Sequence, residues 1–301
     1  MKSGRDMDSV SKSENQSLLK LFASEIRIEQ TLFSLPFVFL GALLGNNFFL
    51  TWNQIFLIII AAASARALGM LINRIIDRAI DKLNPRTSSR YIASGEMKTV
   101  TALALALVCL VIYLICAYLL GPLPLKLSSI PVILFVLYPY SKRFTWLCHF
   151  FLGITLSMAP LAGWIAVSEE LNFTPFLLTI AVCFWVAGFD IYYATLDMEF
   201  DKTHMLHSLP VRFGTKISAM ITAFSHVITA VAILLVGLQY GLGAIYFMFA
   251  VISSLYLLYI DYSYLNYLGT YKINEYIQKN SYFSIIVFHG VIFEMIYRKV
   301  M

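Results

Sequence analysis

The sequence predicts an all-α, polytopic membrane protein, a bundle of nine transmembrane helices. Three observations predict it. Of 301 residues, 59% are hydrophobic and only 13% charged, with a mean hydropathy of +0.76; a soluble domain carries about 45–50% apolar and about 25% charged residues. The excess is more than one core can bury, which excludes soluble, disordered and disulfide-scaffold classes. The apolar runs are continuous rather than alternating, which disfavours a β-barrel. The basic residues alternate in density from one connection to the next, as the loops of a multi-pass chain do.

The elements follow in order. Residues 1–20 are Ser-rich and charged and read as a flexible polar tail, leaving 21–301 as one membrane domain. The tail is too polar for a secretory signal. Residues 21–31 read as an interfacial amphipathic turn. Apolar runs then predict spans at 32–50, 53–76, 99–121, 128–147, 149–167, 173–196, 217–238, 241–265 and 282–299. Pro131 and Pro139 interrupt the fourth. Cys109, Cys116, Cys148 and Cys183 sit in or beside apolar runs without a CxxC pair and read as inert packing residues. With the N-terminus inside, 18 of the 22 Lys and Arg fall in the tail and the inner loops. This bias places the N-terminus in the cytoplasm and the protein in the inner, cytoplasmic membrane. The lipid bilayer is an expected partner; nucleic acid is not.

The acids are unevenly spread. Six of 17 fall in two stretches, Asp77 and Asp81, then Asp190, Asp197, Glu199 and Asp201, each at the inner end of a predicted span. Ionised carboxylates at membrane depth are costly and point to function. Asn73, Asp77 and Asp81 are spaced i, i+4, i+8, which stacks an amide and two carboxylates on one helical face. Spacings of seven and four put Asp190, Asp197 and Asp201 on a second stripe, with Glu199 out of register. Facing rows of carboxylates repel unless cations neutralise them. Mg²⁺ suits such rows, because it takes carboxylates and shares its shell with waters and substrate phosphates. Arg74, Arg78, Lys82, Arg86, Arg90, Lys142, Arg143, Lys202 and Arg212 lie around the acids and are candidate phosphate ligands. Carboxylates and bases in one inward-facing cavity suggest Mg²⁺ and a diphosphate. No His pair has the spacing of a helical Zn²⁺ site.

At these residues the chain resembles the UbiA family of integral-membrane aromatic prenyltransferases. The family's first motif matches Asn73, Asp77 and Asp81; its second, DxxYAxxDxxxD, matches Asp190, Tyr193, Ala194, Asp197 and Asp201. Further matching stretches are Ser34–Phe37, Asn84–Thr87 with Arg90, Tyr138–Arg143, and His207–Gly214. The resemblance implies nine helices around a central cavity that opens to the cytoplasm. It implies that both motifs hold Mg²⁺, which binds the diphosphate of a polyprenyl diphosphate donor. Lys142 and Arg143, with Arg78, match positions expected to contact that diphosphate. The Asn-Pro-Arg-Thr loop and the His-Ser-Leu-Pro segment resemble the branch acting on an aromatic acid acceptor, 4-hydroxybenzoate or the naphthoate acid of menaquinone synthesis. Gln30 and Tyr91-Ile92-Ala93 depart from the usual family residues, which leaves acceptor identity open.

The implied chemistry is electrostatic stabilisation of a departing diphosphate and attack of an allylic cation on an electron-rich ring in a dry, aromatic-walled cavity. Asp77, Asp81, Asp197, Asp201 and Tyr193 are then the expected catalytic set, Tyr193 orienting Asp190, Asp197 or a substrate. Arg66, within the second span, either binds the acceptor's carboxylate or pairs with an acid. The competing reading is a cation-coupled secondary transporter with the Asp rows as its ion site. The acids argue against it, because they cluster at inner span ends rather than at the midplane where such sites lie.

Overall fold

A computed structural model describes residues 20–26, 28–170, 174–266 and 273–300, and every regular element among them is helical. Most of the expected tail lies outside the described residues, as do the side chains of Glu29 and Gln30. Residues 20–25 form a short helix, where the interfacial turn is expected. The elements that follow are α1 (Ile28–Gly45), α2 (Trp52–Leu83), α3 (Tyr91–Ser94), α4 (Thr99–Leu120), α5 (Pro122–Leu127), α6 (Ser129–Ser141), α7 (Cys148–Ser168) and α8 (Thr174–Ala194). A 3-10 turn (Thr195–Asp197) leads to α9 (Met198–Thr203), α10 (Leu209–Gln239), α11 (Ala244–Asn266) and α12 (Ile273–Val300).

Among the described residues, seven helical segments are long and apolar enough to cross a membrane: α2, α4, α5 with α6, α7, α8 running into α9, α10 and α11. In α1 the described apolar stretch, Leu35–Gly45, is shorter. α12 is diluted by Glu275, Lys279, Glu294, Arg298 and Lys299.

Local chemistry sets where the helices stop. Thr51 opens α2 with a capping box, its hydroxyl accepting from Gln54 N while the Gln54 side chain accepts from Thr51 N. The helix then runs seven residues past the predicted span end, so Asp77 and Asp81 sit inside one continuous helix with Asn73. Pro85, which disfavours helix at the residue before it, ends the run at Asn84. The fourth span, expected at 128–147, is instead Pro122–Ser141, made of two helices that meet at Ser128, with Pro139 tolerated inside the second. α10 starts eight residues earlier than predicted. Gly214 (φ 75°, ψ 170°) breaks its first turns, which hides the amphipathic period from the sequence.

Two apolar cores flank the site. One joins α1, α7, α8, α10, α11 and α12 around Phe37, Trp164, Trp185, Tyr246 and Phe283. The other joins α2, α4 and α6 around Leu68, Leu71, Ala102 and Phe135. Between α1 and α7 the backbones meet closely: a Cβ on Gly41 would strike the Pro160 carbonyl, and one on Gly163 the Val38 carbonyl. Small residues at such crossings let helices approach without a hydrophobic drive between them.

Gly163→Val should therefore force α1 and α7 apart, at a cost of about 1–3 kcal/mol. A detergent melting curve checks this; an unfolding temperature equal to wild type would contradict the close packing.

Candidate active site

Between the cores lies a cavity of about 680 Å³. Its mouth is polar and its depth apolar, the latter formed by Phe37, Leu152, Leu156, Val182, Trp185 and Val186. Both acidic rows line the mouth: Asn73, Asp77 and Asp81 from α2, and Asp190, Tyr193, Asp197 and Asp201 from α8, the 3-10 turn and α9. Lys142 and Arg66 also line the cavity.

The second row is not the single helical stripe that its spacing predicts. α8 ends at Ala194, the chain tightens into the 3-10 turn, and α9 restarts at Met198. The cavity nevertheless receives all three aspartates, so the turn redirects the row rather than dispersing it.

Asp77, Asp81 and Asp197 each have a cation and so are answered in place. Asp77 accepts from Lys142 Nζ at 2.7 Å and from Asn73 Nδ2 at 3.4 Å, with Arg143 Nη2 at 3.4 Å from its other oxygen. Asp81 accepts from Arg90 Nη1 at 2.7 Å. Asp197 is gripped bidentately by Arg86, through Nε at 2.8 Å and through Nη2, and also accepts from Asn84 Nδ2 at 2.8 Å. Asp201 lines the cavity with no hydrogen bond or ion pair to its carboxylate among the described residues. The two most buried of these carboxylates, Asp77 and Asp81, are the ones that low dielectric would penalise most without a partner, and both are paired.

The bond between the two rows is made by the loop after α2. Asn84 and Arg86 belong to the first motif's loop yet hold the second motif's Asp197. That loop is itself pinned: Arg86 N donates to Asn84 Oδ1 and the Thr87 hydroxyl to the Asp81 carbonyl. Arg86 Nη1 donates to Tyr193 Oη at 2.7 Å, and its guanidinium lies over the Tyr193 ring. Burial alone would lower the Arg86 pKa, but the hydrogen bonds and charge of Asp197 and Tyr193 outweigh it and hold it above its ordinary value. Tyr193 is thus tied to Asp197 through Arg86.

A second structure stands behind α3. The buried Glu25 accepts from Tyr91 N at 2.5 Å and Ile92 N at 3.4 Å and faces Arg74 Nε at 3.4 Å, so the segment before α1 fastens the loop that carries Arg86 and Arg90.

A model of the UbiA prenyltransferase family matches residues 34–270. The chain belongs to the UbiA prenyltransferase family. A 4-hydroxybenzoate octaprenyltransferase from Vibrio atlanticus is 32% identical over 65% of this chain and 69% of its own. A UbiA homolog from Aeropyrum pernix K1 superposes with a TM-score of 0.79 at 33% identity, over 89% of this chain and 98% of that one. A UbiA homolog from Archaeoglobus fulgidus, solved with GPP and Mg²⁺ bound, has the same fold at 19% identity, with a TM-score of 0.67 over 90% of this chain and 99% of that one. The protein is a membrane prenyltransferase.

Against this UbiA frame, the sequence-derived residues divide. Asn73, Asp77, Asp81, Lys142, Asp190, Tyr193, Asp197, Asp201 and Arg66 all reach the cavity. Arg143 touches Asp77 but stands over the Tyr140 ring at the rim. Arg78 stands apart; it is exposed, donates to Thr99 Oγ1 at 2.8 Å and does not line the cavity. Its helical phase, one residue after Asp77, turns it away.

His149 is the residue that sequence reasoning passed over. Its Nδ1 lies 2.8 Å from Asp190, and its Nε2 accepts from Leu209 N at 3.3 Å. A backbone N–H can only donate, so Nε2 is unprotonated and the ring proton sits on Nδ1, aimed at Asp190. No spacing reveals this pair, since 41 residues separate its members. Only the match of His149 to the start of a span, as Asp190 is to the end of one, placed both near one membrane face.

Arg86→Lys keeps the charge but not the fork. Asp197 and Tyr193 would then share one ammonium, and both prenyl transfer and thermal stability should fall, transfer by about tenfold or more. Steady-state rates with a detergent melting curve check this; a Lys variant with wild-type activity would show the bidentate grip to be dispensable.

Proposed function

We propose that this chain transfers a polyprenyl group from polyprenyl diphosphate to the ring of an aromatic acid, 4-hydroxybenzoate or a dihydroxynaphthoate, in respiratory quinone synthesis. One observation carries the reading. Two acidic rows about 110 residues apart in sequence line one cavity, walled by bases at the mouth and by apolar side chains below. The name of the Vibrio atlanticus relative and the GPP and Mg²⁺ of the Archaeoglobus fulgidus structure support it.

The donor set fits Mg²⁺. Among the described residues, no three His, Cys, Asp or Glu side chains converge to enclose a metal by themselves. Mg²⁺ does not need such a cage; it takes one or two carboxylates, waters and substrate phosphate oxygens. Asp77 and Asp81 with Asn73, and Asp190, Asp197 and Asp201 opposite, would hold it, and its contribution is to neutralise charge on the departing diphosphate.

The rest falls to the chain's own residues. Lys142, Arg86 and Arg90 rest on carboxylates and exchange them for phosphate oxygens when the donor enters. The allylic C–O bond breaks with its electron pair going to the diphosphate. A ring carbon of the acceptor forms the new C–C bond, and the ring proton leaves. The apolar depth keeps water from the cation. Arg66 lies eleven residues before Asp77 on α2, about 16 Å deeper along the helix axis, and is assigned to the acceptor's carboxylate. His149 holds Asp190 in its ligating orientation. The membrane reading is kept whole: nine spans, an N-terminus in the cytoplasm and a cavity opening to that side of the inner membrane.

Asp77→Asn, Asp81→Asn, Asp197→Asn and Asp201→Asn should each nearly abolish transfer in folded protein, and EDTA should stop the wild type. Near-normal turnover in all four variants, read by mass spectrometry of the lipid product, would sink the site assignment. His149→Phe should raise the Mg²⁺ concentration for half-maximal rate by about 10- to 100-fold. An unchanged Mg²⁺ dependence would remove His149 from the site.

A further inference from the structure

A second buried polar cluster lies below the acidic rows, and the chemistry above does not use it. His226, Asp261, Tyr276 and Asn280 are each at most 1% exposed, on α10, α11 and α12. Polar groups at such depth are costly and rarely idle.

The cluster is a closed ring, and its donors are fixed at every link but the one between Asp261 and His226. Trp185 Nε1 donates to Asn280 Oδ1 at 2.5 Å. An indole N–H only donates, so the Asn280 oxygen must face it and the amide nitrogen must face away. That nitrogen donates to Tyr276 Oη at 3.1 Å, which sends the Tyr276 hydrogen to Asp261 Oδ1 at 2.9 Å. Asp261 Oδ2 lies 2.7 Å from His226 Nδ1, and His226 Nε2 donates to the Trp185 backbone carbonyl at 3.2 Å. The ring thus begins on the Trp185 side chain and ends on the Trp185 backbone. Gly188 makes room for it, since a Cβ there would strike the His226 ring.

Four side chains from three helices fasten one tryptophan, and that tryptophan lines the cavity. Phe37, Phe189 and Phe283 surround it at ring-centroid distances of 5.2, 5.3 and 5.7 Å. It precedes Asp190 by five residues on α8, about 7.5 Å along the axis. A prenyl chain whose diphosphate sat at the acidic rows would have its first carbons at this depth. An aromatic face there attracts an allylic cation, and an immobile one leaves no gap for water.

We propose that Trp185 is the wall that faces the allylic carbon and governs whether the cation alkylates the acceptor or is captured by water, and that Asn280, Tyr276, Asp261 and His226 are its positioning residues. This rests on the prenyl-transfer reading. The cation has two fates. With the acceptor ring it forms a C–C bond, and the ring proton leaves. With water it forms a C–O bond, giving prenyl alcohol and a proton.

The test measures the ratio of prenyl alcohol to prenylated acid from geranyl diphosphate and 4-hydroxybenzoate, with Mg²⁺, in Trp185→Leu, Trp185→Phe, Asn280→Ala and Tyr276→Phe. The ratio should rise about three- to tenfold in Trp185→Leu and Asn280→Ala and less in the two conservative variants. The donor KM of Tyr276→Phe, a residue that does not line the cavity, should stay near wild type. Leu178→Ala, a buried α8 residue that does not line the cavity, should lower stability without moving the ratio. A wild-type ratio in the folded variants, or an equal rise in Leu178→Ala, overturns the inference. Tyr276→Phe removes a single oxygen and keeps the test open if Asn280→Ala does not fold. If the wild type alkylates neither 4-hydroxybenzoate nor a dihydroxynaphthoate, the acceptor reading fails instead. The variants are then scored by geranyl diphosphate hydrolysis, where wild-type rates overturn the role of Trp185.

Discussion

Carboxylates held at membrane depth constrain everything else in this protein. An ionised Asp is costly there unless a cation or a donor answers it, and every aspartate of the two rows but Asp201 has such a partner among the described residues. Asp77 has Lys142 and Arg143, Asp81 has Arg90, Asp197 has Arg86 and Asn84, and Asp190 has His149. These answers come from three separate parts of the chain: the loop after α2, the end of α6 and the start of α7. The electrostatic debt of two helix ends therefore organises the loop after α2, the end of α6, the start of α7 and the turn after α8 around one cavity mouth.

The same pairs prepare the chemistry. A base resting on a carboxylate is already placed and partly withdrawn from water, so less reorganisation remains when a polyanionic substrate arrives. Arg86 shows the economy of the arrangement. One planar guanidinium joins both acidic motifs, packs on Tyr193 and stays charged at every relevant pH. Along α8 the cavity lining changes character within a few helical turns, from charged at Asp190 to aromatic at Trp185, which in the proposed reaction would separate the leaving diphosphate from the reactive carbon.

The His149–Asp190 and His226–Asp261 pairs use one chemistry for two ends. Backbone partners decide the difference. His149 Nε2 meets an N–H and must be bare, while His226 Nε2 meets a carbonyl and must carry a proton. The first pair has an imidazole donating to a carboxylate at the cavity. The second closes a buried ring of which only Trp185 and Asn280 line the cavity.

Composition and periodicity were enough to reveal a helical membrane chain, the positions of most of its helices and the two acidic rows, because hydropathy and i, i+4 spacing are local properties. They failed where local signals compete. Asp77 and Asp81 extend α2 beyond its apolar run, Gly214 interrupts α10, and a 3-10 turn replaces the continuous stripe expected from Asp190 to Asp201. Which base answers which acid was not legible at all. Arg78 sits beside Asp77 in the chain and faces Thr99, whereas Arg86 and Asp197 meet across 111 residues. Adjacency in sequence fixes helical phase, but partnership between charges depends on how helices from distant parts of the chain pack, and only the tertiary structure decides that.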